Sequence, residues 1–320
     1  MPKMNKDYPN RQGDGKEKSN PGKKAMNILV SVNDTYVMPL AVLLQSLFET
    51  QSQPVVLWFM WSELNEENRM FFRDFAAAHG AELHWIRIGE ETFRGLPTKK
   101  YISRETYFRL LAAEFLPESV DRVLWLDADM VIRGDIGSFY GTDLMGYAVA
   151  ACPHGPVMRP VMAENCRQAG IAEPEQYFNA GVMLCNLERW RQMDMPGRIT
   201  EILRTPRRMK FPGQDLTNLL FNGEVLTEDW RKYNCMTHSI LPEDLPELEK
   251  TAKIVHFAGF AKPWTFTDLP FSDAWKSWYD RSPFAGRPLK RTSYFRMKAV
   301  FRRSWEKQTE KQKEKEKSRT

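Results

Sequence analysis

The chain has 320 residues, of which 42% are hydrophobic and 27% charged, so it can bury a large core in one large domain or two modest ones. It has no run of about 18 apolar residues and no apolar segment in its polar first 25 residues, so we expect neither a membrane-spanning helix nor a secretory signal. Its cysteines lack the paired spacing of a metal site and are predicted to be reduced, as in a cytoplasmic protein: Cys152, Cys166, Cys185 and Cys235.

The net charge of +5 is unevenly distributed along the chain. Residues 1–25 carry a net charge of +4 and residues 287–320 carry +9, which leaves −8 for the residues between them. An acidic body argues against a protein that reads nucleic acid with a basic face. We therefore expect a disordered basic leader (1–25), one folded domain (26–286) and a basic amphipathic tail (287–320).

Predicted strands alternate with predicted helices through the first half of the chain. The strands are 27–32, 55–60, 83–86 and 123–126, and the helices between them are centred on 40–47, 70–75 and 107–115. This alternation predicts an α/β fold with a mostly parallel sheet covered by helices. The second half is less regular, with strands at 147–151, 181–184 and 254–257 and a helix at 216–221.

The tripeptide Asp127-Ala128-Asp129 directly follows the apolar run 123–126. Two carboxylates at the end of a buried strand can turn toward one divalent cation, which commonly completes its shell with substrate phosphates and water. Ligands of parallel sheets also bind beyond the carboxyl ends of the strands. The pattern indicates a metal site for a nucleotide diphosphate, and the alternative is an exposed turn without a ligand.

Six segments, in this order, carry a family resemblance: Ser31–Tyr36, Ser103–Leu110, Asp127–Asp129, Tyr177–Val182, Gly213–Leu216 and His256–Trp264. The chain resembles glycosyltransferase family 8, which includes bacterial α-galactosyl- and α-glucosyltransferases of cell-surface glycans and also glycogenin. The resemblance covers about Asn27 to Trp264. It implies a Rossmann-like GT-A catalytic domain within residues 26–286 and a retaining transfer from a UDP-sugar.

The resemblance implies that the donor nucleotide is held by two groups of residues. The first comprises Ser31, Asn33, Asp34 and Tyr36, with the tyrosine ring stacked on uracil, as an aromatic face allows. The second comprises Ala128 in the Asp-x-Asp turn and Gly259 and Lys262 at the diphosphate. For the first group the alternative is an ordinary strand–helix turn in which Asp34 caps the helix.

Asp127, Asp129 and His256 are the metal ligands that the resemblance implies. One imidazole among oxygen ligands suits Mn²⁺, with Mg²⁺ as a substitute. A histidine after an apolar run is often a core residue, but Gly259 and Lys262 follow His256 at a spacing that favours a phosphate site.

The resemblance also implies the residues around the transferred sugar. Arg109 reaches the donor, Asn179 contacts the hexose, Gln214 lies beneath the anomeric carbon, and Asp215 holds sugar hydroxyls. For Arg109 the alternative is a surface salt bridge with Glu105. Many family members have an aspartate where this chain has His154, so the acceptor of the family does not carry over.

The sequence thus predicts an Mn²⁺-dependent retaining transferase that moves glucose or galactose from a UDP-hexose to a cell-surface glycan, glycolipid or protein. Front-side attack is favoured because no carboxylate is placed as a nucleophile. A glycogenin-like self-glycosylating protein and a non-catalytic UDP-sugar-binding protein are the alternatives. A sugar-1-phosphate nucleotidyltransferase is disfavoured, because residues 31–36 lack a glycine-rich loop.

Residues 294–305 combine aromatic side chains at helical spacing with arginine and lysine. This pattern is typical of a helix at a membrane interface, with its cations toward anionic lipid. The alternative is a helix that packs on the body. We expect a cytoplasmic protein that associates peripherally with the inner face of the cell membrane.

Overall fold

The computed structural model describes residues 24–89, 92, 104–172 and 174–298, and for residues 104–106 it describes the backbone alone. The predicted leader, apart from its last two residues, and the tail beyond residue 298 lie outside the described residues. Two aromatic residues of the predicted interfacial helix, Phe301 and Trp305, are among those outside.

In the described part of the chain, ten strands form two sheets. They are β1 (Met26–Ser31), β2 (Val55–Trp61), β3 (Glu82–Arg87), β4 (Arg122–Leu126), β5 (Met130–Ile132), β6 (Val149–Pro153), β7 (Phe178–Asn186), β8 (Val225–Thr227), β9 (Cys235–Met236) and β10 (Ile254–His256). The large sheet has the order β3-β2-β1-β4-β7-β6-β8, and β7 alone in it runs against its neighbours. The prediction of a mostly parallel α/β sheet is therefore confirmed.

Helices cover both faces of this sheet. They are α1 (Val37–Thr50), α2 (Glu66–Ala78), α3 (Arg104–Leu110), α4 (Ala112–Phe115), α5 (Gly137–Tyr140), α6 (Arg159–Ala169), α7 (Leu187–Arg191), α8 (Met195–Arg204), α9 (Pro212–Leu220), α10 (Trp230–Tyr233), α11 (Leu245–Thr251) and α12 (Ser272–Tyr279). The helix predicted at 107–115 is interrupted, because Leu111 leaves the helical region with ψ at 12°. The helix predicted at 216–221 begins earlier, at Pro212, whose fixed φ suits a first helical position.

The core lies on both faces of the large sheet because every second side chain of a strand points to the same face. In β4, Val123 and Trp125 pack into one apolar cluster, while Leu124 and Leu126 pack into the other. Burying such a side chain contributes roughly 1.5–3 kcal/mol, so the strand that ends at the Asp-x-Asp turn is firmly held.

A small second sheet brings a distant segment to that turn. Strand β10 pairs antiparallel with β5, placing His256 opposite Met130, and pairs parallel with β9. The backbone N–H of Phe257 donates to the carbonyl oxygen of Asp129 at 2.9 Å. This pairing holds the end of β10 against the Asp-x-Asp turn.

The described part of the predicted tail packs on the domain. Thr292 forms a β-bridge with Phe266, and Tyr294 stacks edge-on against the Phe266 ring with centroids 5.2 Å apart. Residues 294–298 are helical, and the Asp268 carboxylate accepts from the backbone N–H groups of Tyr294 and Phe295. Residues 292–295 of the predicted basic amphipathic tail therefore contact the body. Among the described helices, none is long and apolar enough to cross a membrane.

Candidate active site

The candidate site lies at one edge of the large sheet, where several strand ends meet. Strand β4 ends at Leu126 and β6 at Pro153, and antiparallel β7 begins at Phe178 on the same edge. The register pairs Leu126 with Val182 and Pro153 with Phe178. The Asp127 N–H donates to the carbonyl oxygen of Gly181 at 2.9 Å, which locks the Asp-x-Asp turn to the start of β7.

Asp127, Asp129 and His256 come together at this edge. One ligand atom from each of the three side chains lies within 4.8 Å of the others. His256 Nε2 is 3.2 Å from Asp129 Oδ1, and these two side chains are almost fully buried. The Asp127 side chain is 29% exposed, so the cluster opens toward solvent on its side.

Gly181 makes room for this convergence. A Cβ at this position would lie 2.9 Å from Asp127 Oδ2 and 3.0 Å from Asn179 Oδ1, and closer still to the His256 ring. Real Cβ atoms do not approach other heavy atoms so closely. A side chain at residue 181 would therefore push two members of the cluster apart.

Lys262 completes the cluster with a positive charge. Its Nζ forms an ion pair with Asp129 Oδ2 and donates to the carbonyl oxygen of Phe257 at 2.8 Å. Burial by itself would raise the pKa of the Asp129 carboxyl, but His256 and Lys262 outweigh it by charge and hydrogen bonding and hold this pKa below its ordinary value. Asp129 is therefore an anion that is already arranged to face positive charge.

Arg109, on α3, reaches the same cluster. Its guanidinium donates to the carbonyl oxygen of Ala180 at 2.6 Å, and Nη1 lies 3.4 Å from Asp127 Oδ1. The guanidinium also lies over the Trp125 ring, whose Nε1 donates to Asp127 at 2.8 Å. Arg109 thus lies beside Asp127 at the cluster. The side chain of Glu105, its alternative partner, lies outside the described residues.

Gln214 lies at the centre of a buried polar network. Its Oε1 accepts from Asn179 Nδ2 at 2.9 Å. Its Nε2 donates to the Tyr177 hydroxyl and to His154 Nε2, each at 3.0 Å. Two of the predicted sugar-site residues, Gln214 and Asn179, are therefore in direct contact.

Asp215 is placed differently from the prediction. The residue has no exposed surface, Oδ1 accepts from Tyr177 and Asn165 at 2.5 Å each, and Oδ2 accepts from the Phe211 N–H at 2.8 Å. Its burial raises the pKa of the carboxyl, against the lowering effect of these hydrogen bonds. Direct binding of sugar hydroxyls does not fit this placement, because residue 215 of α9 points inward and its oxygens are occupied.

A buried histidine, His154, adjoins Gln214. Burial lowers the pKa of His154 to about 3, and the neighbouring His238 lowers it further. The His154 ring is therefore neutral at physiological pH, so it presents no charge at a position where many family members have a carboxylate.

The predicted nucleotide turn lies at the end of β1. Ser31 has a buried hydroxyl without a hydrogen-bond partner, and Tyr36 lies edge-on to Trp264 with centroids 6.0 Å apart. The side chain that caps the following helical turn is Asn33, whose Oδ1 accepts from the Thr35 N–H at 3.0 Å. Asp34 accepts instead from the N–H of Asn65 and the side chain of Asn68, which fastens the turn to α2.

The remaining predicted donor residues flank the cluster. Ala128 is buried between the two aspartates. Gly259 has a φ of +83°, which favours glycine, and a Cβ there would meet no atom of the described residues within 4 Å. The described part of the chain thus leaves space beside Gly259, three residues before Lys262.

Several network residues carried no signal in the sequence analysis. Asn234 is fully buried and bridges His256 and Asn179, while Asn165 and Tyr177 both hold Asp215. Tyr177 stands within a family-like segment without an assigned role. Asn234 lies just before the two-residue strand β9, and no local pattern marks it.

The donor set fits a divalent cation. His256 Nδ1 lies 3.0 Å from Asn234 Oδ1, which is an acceptor, so Nδ1 carries a ring proton and Nε2 is the nitrogen that can give a lone pair to a cation. Two carboxylates and one imidazole are a suitable set for Mn²⁺. The fold and this site together define a GT-A type glycosyltransferase.

A family comparison agrees with this class. The model of glycosyl transferase family 8 matches residues 27–268, which is most of the chain. The chain therefore belongs to glycosyltransferase family 8.

Among similar proteins, a lipopolysaccharide 1,2-glucosyltransferase of Escherichia coli is 24% identical over 84% of this chain and 82% of its own length. A putative glycosyltransferase of Haemophilus influenzae is 26% identical over 63% of this chain, and the match spans 61% of that relative. The galactosyltransferase LgtC, solved with donor and acceptor sugar analogs, is 25% identical with a TM-score of 0.65; the match covers 82% of this chain and 98% of that one.

Proposed function

We propose that this protein transfers glucose or galactose from a UDP-hexose, with retention of configuration and with Mn²⁺, to a cell-surface glycan or glycolipid. The observation that carries the proposal is the meeting of the Asp127–Asp129–His256 cluster, Lys262 and Gln214 at one sheet edge. Relatives named as lipopolysaccharide glucosyl- and galactosyltransferases support the two candidate sugars.

The nucleotide lies on the turn after β1 in this proposal. Tyr36 supplies the face for uracil, and its edge contact with Trp264 holds the ring in place. Asn33 is exposed, and its amide oxygen caps the helical turn that carries Tyr36. Asp34 supports the turn through Asn65 and Asn68 and so acts by positioning.

The diphosphate lies between the carboxylate cluster and the segment 259–262. Asp127, Asp129 and His256 would hold a divalent cation, whose positive charge would stabilise the departing diphosphate. Lys262 adds a second positive charge, and Arg109 a third beside Asp127. These charges are fixed before the reaction begins, which is how a site stabilises charge that develops in the transition state.

The hexose lies over Gln214 and Asn179. The Gln214 amide is held by three hydrogen bonds, so its oxygen is presented in one orientation. Among the described residues no unpaired carboxylate lies at Gln214, because Asp215 is buried behind Tyr177. This arrangement supports front-side attack by the acceptor hydroxyl, with the departing phosphate as its base.

A groove of about 980 Å³ provides the acceptor side. It reaches from His238 and Ala261, beside the site, to Phe271 and then to Tyr294 and Phe295 at the described end of the chain. Its wall combines aromatic and charged side chains, a surface suited to an acceptor with both sugar and apolar parts.

The groove opens beside exposed aromatic side chains. Phe260 is 76% exposed and Phe295 is 66% exposed, and residues 287–298 carry five lysines and arginines and no acidic residue. We propose that this face meets an anionic membrane surface. Replacing both phenylalanines by serine lowers sedimentation with anionic vesicles, while Met145→Ser, at 66% exposure on another surface, does not. Equal sedimentation of all three proteins contradicts the membrane contact.

Calorimetric titration with UDP tests the donor assignment. We expect binding with Mn²⁺ and weak or no binding with EDTA, and we expect Asp129→Asn to abolish the difference. Glu67→Gln, an exposed carboxylate in the first turn of α2, is the matched control and behaves as the unsubstituted protein. UDP binding that is equally tight in EDTA contradicts the metal-dependent mechanism.

A further inference from the structure

A backbone N–H group fixes which end of the Asn179 amide is the acceptor in the polar network. The N–H of Gly181 can only donate, and it donates to Asn179 Oδ1 at 3.0 Å. The Asn179 oxygen therefore faces Gly181, and its Nδ2 faces Gln214 Oε1 at 2.9 Å. One backbone amide thus orients the side chain that joins the two halves of the network.

Toward the metal cluster, the orientation of Asn179 determines which nitrogen of His256 carries a proton. Asn234 lies 3.0 Å from the Asn179 oxygen and must present its Nδ2 there, so its Oδ1 faces His256. His256 Nδ1, at 3.0 Å from that oxygen, must then carry the proton. Nε2 is then the nitrogen that faces Asp129 and that is available to a cation.

Toward the sugar side, the orientation of Asn179 determines the orientation of the Gln214 amide. Because Gln214 Oε1 faces Asn179, its Nε2 faces Tyr177 and His154. The Tyr177 hydroxyl accepts from Gln214 and donates to the Asp215 carboxylate at 2.5 Å. Reversing the Gln214 amide would set its nitrogen against Asn179 Nδ2, so that two donors would face each other.

From these contacts we infer that Asn234 is a positioning residue that couples the metal site to the sugar site. Its side-chain oxygen faces His256 Nδ1 and so fixes where the ring proton lies. Its side-chain nitrogen donates to Asn179 and so helps to fix the orientation of the Asn179 amide, which in turn orients the Gln214 amide. The residue is fully buried, so its role is carried by these two contacts. The inference rests on the proposed function, because it gives His256 its role as a ligand.

Two substitutions separate the two contacts. Asn234→Ala removes both, while Asn234→Asp keeps an oxygen for His256 Nδ1–H but replaces the donor to Asn179 by a second acceptor. We expect Asn234→Ala to weaken Mn²⁺ binding by roughly 10–100-fold, as is usual for groups that orient a metal-bound histidine. We expect Asn234→Asp to bind Mn²⁺ within about threefold of the unsubstituted protein and to lose more than about tenfold in turnover.

The control variant is Asn27→Ala, which removes a partly buried side chain that bonds Trp58 and Tyr140 at the start of β1, at the opposite end of the strands from the site. It tests for a general loss of stability and should leave Mn²⁺ affinity unchanged. Mn²⁺ binding is followed by electron paramagnetic resonance of the free ion, which requires no activity.

A second readout follows the imidazole itself, in the presence of Mg²⁺, a diamagnetic substitute for Mn²⁺. With ¹⁵N-labelled histidine, of which the chain has five, NMR at about pH 8 reports the tautomer of each ring. We expect the Nδ1–H form for His256 in the full-length protein and an increased Nε2–H form in Asn234→Ala.

The outcomes separate this inference from the proposed function. If the unsubstituted protein binds Mn²⁺ but Asn234→Ala binds it equally well with an unchanged His256 tautomer, the coupling is wrong and the metal site stands. If Asn234→Asp keeps full turnover, the link to Gln214 is wrong. If the unsubstituted protein binds no Mn²⁺, both the metal assignment and this inference are overturned.

Discussion

The two ends of the candidate site are built in different ways. At the nucleotide end, Asn33 and Asp34 are exposed and make hydrogen bonds at the surface. At the sugar end, Asn234 and Asp215 have no exposed surface, and their hydrogen bonds join segments from the whole second half of the domain. The free-energy effects of substitutions at the nucleotide end should therefore be local and additive. Those of substitutions at the metal and sugar end should be non-additive, because the residues share hydrogen-bond partners.

Removing a carboxylate from the cluster should give the largest effect. Asp129→Asn removes a carboxylate ligand of the proposed metal site and also the ion-pair partner of Lys262. We expect the transition state to lose several kcal/mol of stabilisation, which corresponds to a fall of roughly 1,000-fold in turnover. Steady-state kinetics over a range of Mn²⁺ concentrations measures it. Turnover within tenfold of the unsubstituted protein would remove Asp129 from the cluster.

A methyl group at residue 181 should be nearly as damaging, although it removes no functional group. Gly181→Ala pushes against Asp127, Asn179 and His256, and a displacement near 1 Å costs about 100-fold in rate. Gly134→Ala is the control, since its Cβ would meet only Lys253 at an ordinary 3.8 Å. Normal kinetics of the Gly181 variant would show that the cluster is less tightly packed than described.

At the nucleotide end a smaller and simpler effect is expected. Tyr36→Ala removes a stacking face worth roughly 1–3 kcal/mol, so KM for the donor rises by about tenfold while kcat is nearly unchanged. Tyr36→Phe keeps the face and should retain the original KM. A fall in kcat without a change in KM would mean that Tyr36 does not bind the base.

The smallest effect concerns acid stability at the sugar end. Because the folded pKa of His154 is about 3, below its ordinary 6.5, the unfolded chain binds a proton between these values and the folded protein does not. Stability from this group is therefore complete above pH 6.5 and falls as pH is lowered toward 3, by about 1.4 kcal/mol per unit at most.

His154→Gln keeps an acceptor for Gln214 but cannot titrate, so its stability should fall less steeply between pH 6.5 and 5. Urea unfolding at several pH values measures this slope, with Asn27→Ala as the control for general destabilisation. Parallel slopes for His154→Gln and the unsubstituted protein would contradict a neutral buried His154.

Features formed by residues that are close together in the sequence could be predicted, and contacts between residues far apart in the sequence could not. The Asp-x-Asp turn was predictable because its acids directly follow a buried strand, and the parallel sheet followed from alternating strands and helices. Asn234 was not predictable, since its role arises from the pairing of β9 with β10 in a separate sheet. The inward direction of Asp215 was also missed, because a family-like dipeptide does not show which face of α9 each residue occupies.

The most direct test of the account is UDP release from a panel of UDP-sugars without acceptor, with Mn²⁺ and with EDTA. We predict slow release from UDP-glucose or UDP-galactose that requires Mn²⁺ and is lost in Asp129→Asn, because the cluster must stabilise the departing diphosphate even when water is the acceptor. Release from no donor, together with no stabilisation of the protein against heat by UDP and Mn²⁺, would contradict the proposed transferase.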